Sequence, residues 1–296
     1  MIRTRGNEKM IHSSISISSG PVRRGKPGAG APGVDVRAVA VLLLALSSYT
    51  SQVRAAEWSV TELQYQAGSL SAPTFAGGER ARTDILTFQH ASGWEYGDNF
   101  IFIDFLDDST KDGFNDADFY GEIYVNLSLG KIIGFGSVIG PARDIGLLAG
   151  VNAGADANVL KYLPGFRISW DIPGFIFFNL DAALYIDANK GASSGGAPAE
   201  SDSYYVDINW AYPFHIGRHG FSIEGHVEYI AERTNEFGEK AHGWILAQPQ
   251  LRYDLGEALG ASGRLYVGVE WQYWMNKLGD DATDESAGQL LVMWRL

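Results

Sequence analysis

Two-residue alternation, sustained over runs of about ten residues, constrains this chain more than any other feature. In Arg264-Leu265-Tyr266-Val267-Gly268-Val269-Glu270-Trp271-Gln272-Tyr273 one face is apolar or aromatic and the other mostly polar. A strand built that way has lipid on one side and water on the other. The mean hydropathy of -0.08 and the 46% hydrophobic content look soluble, but a barrel hides its apolar half in every second residue. Beyond the N-terminus no run is long enough for a spanning helix.

Residues 1–55 read as a segment outside the fold. Arg37 precedes the apolar stretch 38–46, and Val53-Arg54-Ala55 offers small residues at the spacing a signal peptidase accepts. The expectation is a secretory signal peptide cleaved after Ala55, with an over-long leader explained by a start codon assigned too far upstream. The twin Arg23-Arg24 suggests the twin-arginine route, but a barrel crosses the inner membrane unfolded.

Without the leader the chain keeps 15 Lys and Arg against 33 Asp and Glu, a net charge of -18. Nucleic-acid partners require a basic footprint, so they are excluded. In a pore, such acidity favours cations over anions. The chain has no cysteine, which leaves closure of the sheet as the stabilising device.

The expected fold is all-β, a transmembrane antiparallel β-barrel of about 12 strands over 56–296, with both termini periplasmic. The strands fall near 58–67, 82–92, 98–106, 118–128, 143–154, 165–172, 174–188, 201–213, 219–231, 242–253, 262–275 and 286–296. The longer polar links, 68–81, 107–117, 155–164, 189–200, 232–241 and 276–285, would face outside. The tighter turns between them would face the periplasm, the sharpest being Ile172-Pro173-Gly174. On the last strand Leu290, Val292, Trp294 and Leu296 share one face, an outward apolar end of the kind the barrel-assembly machinery reads. A soluble antiparallel sandwich shares the period of two. Strands near the nine to eleven residues of a tilted membrane strand, and Trp or Tyr near strand ends (Tyr204, Trp210, Tyr212, Trp271, Tyr273, Trp294), favour the barrel.

The segment from Leu86 through His90, Gly93-Trp94-Glu95-Tyr96-Gly97-Asp98-Asn99 and Phe100-Ile101-Phe102-Ile103-Asp104-Phe105 resembles the second and third strands of the nucleoside-specific channel family, the Tsx-like and OmpK-like outer-membrane proteins. The likeness runs over roughly 57–296 and includes the weaker Leu163-Pro164-Gly165-Phe166 and Ile172-Pro173-Gly174-Phe175. It implies a monomeric twelve-stranded barrel in the bacterial outer membrane that passes nucleosides and deoxynucleosides by facilitated diffusion. Some members also serve phages or colicins as receptors through their outer loops.

The residues fit that chemistry. A nucleoside offers a flat base and a hydroxylated ribose, so a selective pore combines aromatic platforms with carboxylates and amides. Assigning the more apolar face to lipid turns Phe100, Phe102 and Asp104 inward, then Tyr120, Glu122, Tyr124 and Asn126. The same logic gives Asn179 and Asp181, Asp207 and Asn209, Glu224, His226 and Glu228. Later strands add Gln248, Gln250 and Arg252, then Arg264, Tyr266, Glu270 and Gln272. The candidate substrate-binding set is Phe75, Phe100, Phe102, Asp104, Glu122, Tyr124, Asp207, Asn209, Arg252, Tyr266 and Glu270. Phe75 enters it by the resemblance, as the loop aromatic that stacks on a base. Residue by residue, inward polar groups also solvate one another, and Glu270 with Arg252 and Arg264 would then be structural pairs.

Two other constellations bear on function. His90 and Ser92 lie two apart on the lipid face with Asn99 on the neighbouring strand, an arrangement that resembles the His-x-Ser plus Asn set of outer-membrane phospholipases. The flanking residues match the channel family instead, so the expectation is a protein that is not an enzyme. The acidic loop 107–118 looks like a calcium loop, but counted from Asp108 the third position is Thr110 and the twelfth is Phe119, so the helix-loop-helix template fails. No cofactor or resident metal is expected; lipopolysaccharide and outer-membrane lipid are the expected surroundings.

Overall fold

The last strand pairs with the first: Leu63 lies opposite Trp294 and Tyr65 opposite Val292, antiparallel, which closes the sheet into a barrel. The computed structural model describes residues 56–110, 114–134 and 140–296. The signal-peptide reading of 1–55 lies outside the described residues.

Twelve staves form the wall: β1 (Trp58–Ser71), β2 (Arg80–Trp94), β3 (Gly97–Asp108), β4 (Asp116–Ser128), β5 (Ala142–Gly154), β6 (Val159–Trp170), β7 (Phe177–Asp187), β8 (Ser203–Ile216), β9 (His219–Ile230), β10 in two pieces (Trp244–Ala247 and Gln250–Asp254), β11 (Leu265–Met275) and β12 (Glu285–Arg295). Each pairs antiparallel with the next in sequence. Closure leaves no unpaired edge, the condition a strand protein must meet in lipid.

Alternation is carried into burial. On β12 Leu290 is 70% exposed while its neighbour Leu291 is 1% exposed. Leu63, Leu86, Ile123, Leu147, Phe166 and Leu184 extend the exposed apolar face around the wall, and Tyr204, Tyr212, Trp271, Tyr273 and Trp294 lie on the same side. An apolar band that encircles the molecule is stable only against lipid.

Six connections at one end (72–79, 109–115, 155–158, 188–202, 231–243 and 276–284) alternate with five at the end that holds Trp58 and Arg295. The first set matches the expected long links, with one correction: 155–164 shrinks to four residues because β6 starts at Val159. Pro164 stays inside β6 opposite Ala149, and pairing toward β7 skips Leu163 and Pro164 before resuming at Gly165. β7 correspondingly begins at Phe177, three residues later than expected. The sharpest turns are the two-residue links at 95–96 and 217–218, not Ile172-Pro173-Gly174, which lies in a six-residue link.

β10 corrects a third expectation, a continuous strand over 242–253. Its ladder breaks at Gln248 and Pro249, since proline has no N–H to give. The register survives, with Ala247 opposite Val227 before the break and Gln250 opposite Glu224 after it. Opposite Pro249, Gly225 adopts φ +148, and a Cβ there would lie 2.4 Å from the Gln248 carbonyl oxygen, so the two strands pinch where only glycine fits.

Candidate functional site

The inward faces of twelve tilted strands converge on the barrel axis, and this interior is where the candidate residues meet. Phe100, Phe102 and Asp104 come from β3, Glu122 and Tyr124 from β4, Asp207 and Asn209 from β8, Arg252 from β10, and Tyr266 and Glu270 from β11. Phe75 stands apart. It sits on a one-turn 3-10 helix, Thr74–Ala76, is 68% exposed, and helps line a cleft of about 320 Å³ among the loops with Phe114, Asp118 and Asp156.

Around the closing staves the interior is filled. Glu270 accepts four glutamine amides: Gln66 Nε2 and Gln250 Nε2 at 2.6 Å, Gln289 Nε2 at 2.9 Å and Gln248 Nε2 at 3.4 Å. Nearer the terminal end Arg252 Nη1 pairs with Glu224 at 2.8 Å and Glu62 at 3.5 Å, and Arg295 Nη2 reaches Glu62 Oε1 at 2.6 Å. The expected pairing of Glu270 with Arg252 and Arg264 is therefore wrong. Arg252 sits one pleat further along, where Glu224 and Glu62 face it, and Arg264 is exposed in the turn before β11.

Toward the loop end an apolar cluster crosses the interior: Tyr124, Leu148, Leu163, Tyr185, Tyr205, Ile230, Trp244 and Leu246. Tyr124 and Tyr205, four staves apart, bring their rings to 6.4 Å. Arg233 and Lys161 lie over this cluster, the Arg233 guanidinium 4.3 Å from the Trp244 ring and the Lys161 ammonium 5.3 Å from that of Tyr185. Glu200 of the loop 188–202 bridges both cations, at 2.9 and 2.8 Å.

Another polar web runs from β3 to β10. Arg167 grips Asp181 with Nε and Nη2, both at 2.7 Å, and Asp98 with Nη1 at 2.9 Å. Asn209 Nδ2 donates to Asp207 at 2.7 Å and to Asp181 at 3.3 Å. His226 faces Asp207 Oδ1 and Gln248 Oε1, each at 3.0 Å. Glu122 accepts Tyr120 Oη at 2.6 Å and Asn152 Nδ2 at 2.8 Å.

Exposure inside the barrel is uneven. Inward residues that are only half-buried include Asp98, Phe100, Phe102, Asp104 and Tyr120 on one wall and Glu224, His226, Gln248 and Tyr266 on the other, with Gln89, Leu106 and Asn209 elsewhere. The first wall carries the ring series Phe100, Phe102 and Tyr120, with successive centroids 6.0 and 6.1 Å apart. Asp104, Glu122, Glu228 and Glu270 have no basic partner within ion-pair distance among the described residues, which leaves this interior acidic. The candidate substrate-binding set leaves out His226 and Gln248, although both alternate inward with their neighbours. Their cross-strand pairing is the signal that selects them, and it requires the register.

At the loops, burial and then the nearby Asp118 and Asp116 push the Asp156 carboxyl up. Burial lowers the Lys277 ammonium, opposed by Glu285 at 2.6 Å. The described residues contain no group of three His, Cys, Asp or Glu side chains able to hold a metal.

On the outer wall His90, Ser92 and Asn99 do come together. Thr61 Oγ1 lies 2.8 Å from His90 Nδ1, His90 Nε2 lies 3.2 Å from Ser92 Oγ, and Ser92 Oγ donates to Asn99 Oδ1 at 3.1 Å.

A closed antiparallel barrel with an apolar outer wall and a polar interior defines an integral protein of the bacterial outer membrane. No protein-family model and no curated protein matches the chain. Among solved structures it is similar to the KdgM porin, 10% identical over 79% of this chain and 98% of that one, with a TM-score of 0.44. It is similar to the NanC porin at 13% identity over 79% and 100%, with a TM-score of 0.46. The translocator domain of the autotransporter NalP from Neisseria meningitidis matches at 10% identity over 88% and 96%, with a TM-score of 0.39.

Proposed function

We propose that this protein is an outer-membrane channel for facilitated diffusion of small solutes, with nucleosides and deoxynucleosides as its preferred class. The observation that carries the reading is the ring series Phe100, Phe102 and Tyr120, beside Asp98 and Asp104, on the half-open side of the interior. Aromatic faces hold a flat base and carboxylates accept ribose hydroxyls. The packing of the remaining interior favours a narrow selective path over a wide general pore. Passage of a nucleoside then requires the Tyr124–Tyr205 contact and the Glu200 bridge to yield.

In this reading the six-connection end faces outside, where Phe75 forms part of the rim and lipopolysaccharide, a phage or a colicin would meet the loops. Both termini lie in the periplasm, and the barrel works as a monomer inserted by the barrel-assembly machinery.

Single-channel conductance of the purified protein in a planar bilayer, titrated with nucleosides against free ribose and glucose, tests the proposal. Saturable block by nucleosides alone supports it. Stable channels indifferent to nucleosides would leave a general small-solute pore or a receptor.

One observation favours a second reading, a lipid hydrolase on the outer wall: the chain of contacts from Thr61 through His90 and Ser92 to Asn99. A nucleophile needs its hydroxyl proton directed at the base, whereas Ser92 gives its proton to Asn99. Ester release from phospholipid by the wild type, lost in Ser92→Ala, would establish this reading; an inactive wild type ends it.

A further inference from the structure

The half-open path has one wall of rings on β3 and β4, and the stave six places from β3 around a twelve-stave barrel is β9. Its inward residue at the strand pinch is His226. Both ring nitrogens of His226 are engaged, by Asp207 Oδ1 and Gln248 Oε1, so the ring is held in one plane. Its side chain is nevertheless 31% exposed. With both nitrogens engaged, what it offers the interior is ring carbon.

The backbone behind it is irregular at the same level. Gly225, next to His226 in sequence, holds φ +148 against Pro249, which itself follows Gln248. A glycine that only a close backbone approach explains, inside an otherwise regular strand, marks a place where the wall has been shaped. Gln248 also spans from His226 to Gln272 Oε1 at 3.1 Å, which fixes the amide that fixes the ring.

We infer that His226 is the second ring contact of the solute path, opposing Phe100 and Phe102, and that Gln248 is the residue that positions it. A ring held in one plane and presenting its carbons stacks on the face of a flat heterocycle. The solute class is therefore planar aromatic; open-chain or saturated-ring solutes gain nothing from this wall. The inference rests on the solute-channel reading above.

The test is the half-blocking concentration of adenosine, with ribose as the control, measured on single channels of the wild type and of His226→Ala, His226→Phe and Gln248→Ala. His226→Ala is expected to raise the adenosine value at least tenfold and leave ribose unchanged. His226→Phe, which keeps a ring but loses both hydrogen bonds, is expected to recover most of the affinity. Gln248→Ala, which retains His226 but frees it, is expected to weaken block several-fold, and it carries the test should His226→Ala fail to refold. Wild-type block with no change in His226→Ala or Gln248→Ala overturns this inference alone. Equal losses in the Ala and Phe variants assign the effect to hydrogen bonding and overturn the ring contact. A wild type that adenosine does not block removes the channel reading and this inference with it.

Discussion

Gln66 Nε2 of β1 donates to Glu270 Oε2 of β11 at 2.6 Å, across the stave that lies between them. Three further glutamine amides, from β10 and β12 and from the break in β10, reach the same carboxylate. Charge-assisted hydrogen bonds are stronger than neutral ones, and a donor left buried without an acceptor costs its full desolvation. Glu270 thus ties first, last and penultimate staves where the barrel closes. Glu270→Ala is expected to lower unfolding stability by about 3 kcal/mol. Glu270→Gln, which keeps one acceptor oxygen, is expected to lose less. Urea unfolding in detergent or lipid vesicles reads both; equal midpoints for Glu270→Ala and wild type would refute the role.

The first and last loops of the six-connection end are tied by one side chain. Asp280 accepts Thr74 N at 2.6 Å, Thr74 Oγ1 at 2.7 Å and Thr283 Oγ1 at 2.6 Å. Burial raises its pKa, but the hydrogen bonds from Thr283, Thr74 and Ala282 outweigh burial and hold it at about 2 against an ordinary 3.8. A carboxyl depressed on folding contributes stability above its unfolded pKa and loses it as pH falls through the folded one. The tie is therefore expected to be intact above about pH 4 and to open toward pH 2. Hydrogen exchange or proteolysis across 72–79 would follow it, and Asp280→Asn should show the opened behaviour already at neutral pH.

The wall was readable in the sequence because alternation is local: Leu290 and Leu291 differ in fate by one position, and the order of residues alone reveals it. Pro164 misled for a local reason too. It reads as a strand breaker, yet its missing N–H costs only pairing toward β7 at one point of β6. The interior was legible as a set of inward side chains but not as pairs. That Arg252 meets Glu224 and Glu62, while Glu270 meets four amides, depends on tilt and stagger across staves far apart in sequence. His226 and Gln248 were visible as inward residues, but their mutual lock needs the β9–β10 register.

Leu290 lies mid-strand on β12 and is the most exposed large apolar residue of the wall. A charged side chain facing lipid costs about 2–4 kcal/mol near the bilayer midplane and little at its edges. Leu290→Arg is expected to lower stability in vesicles by about that amount, with a smaller loss for Leu296→Arg at the rim. Equal small effects at the two positions would mean that this face does not meet hydrocarbon.

Glu200 is one of the side chains through which the loop 188–202 holds to the barrel mouth, beside Asn189 and Asp202, which accept from Leu160 N at 2.8 Å and Asp187 N at 3.0 Å. It bridges Lys161 of β6 and Arg233 beyond β9, and Arg233 is in turn stacked on Trp244. Removing one member of a buried ionic cluster leaves the others unbalanced and costs about 3–5 kcal/mol. Lys161 keeps Asp187 at 2.6 Å and Arg233 keeps the Ala231 carbonyl at 2.8 Å, so the loss in Glu200→Ala is expected at the lower end of that range and confined to the loop. The barrel itself has no need of the bridge, because its staves are paired independently. Faster hydrogen exchange over 188–202 with unchanged exchange in β7 and β8 is the expected result. If the protein conducts, the same variant should pass more current, since the loop no longer rests on the cations above Tyr185 and Trp244; faster exchange without any rise in conductance would place the constriction deeper, at Tyr124 and Tyr205.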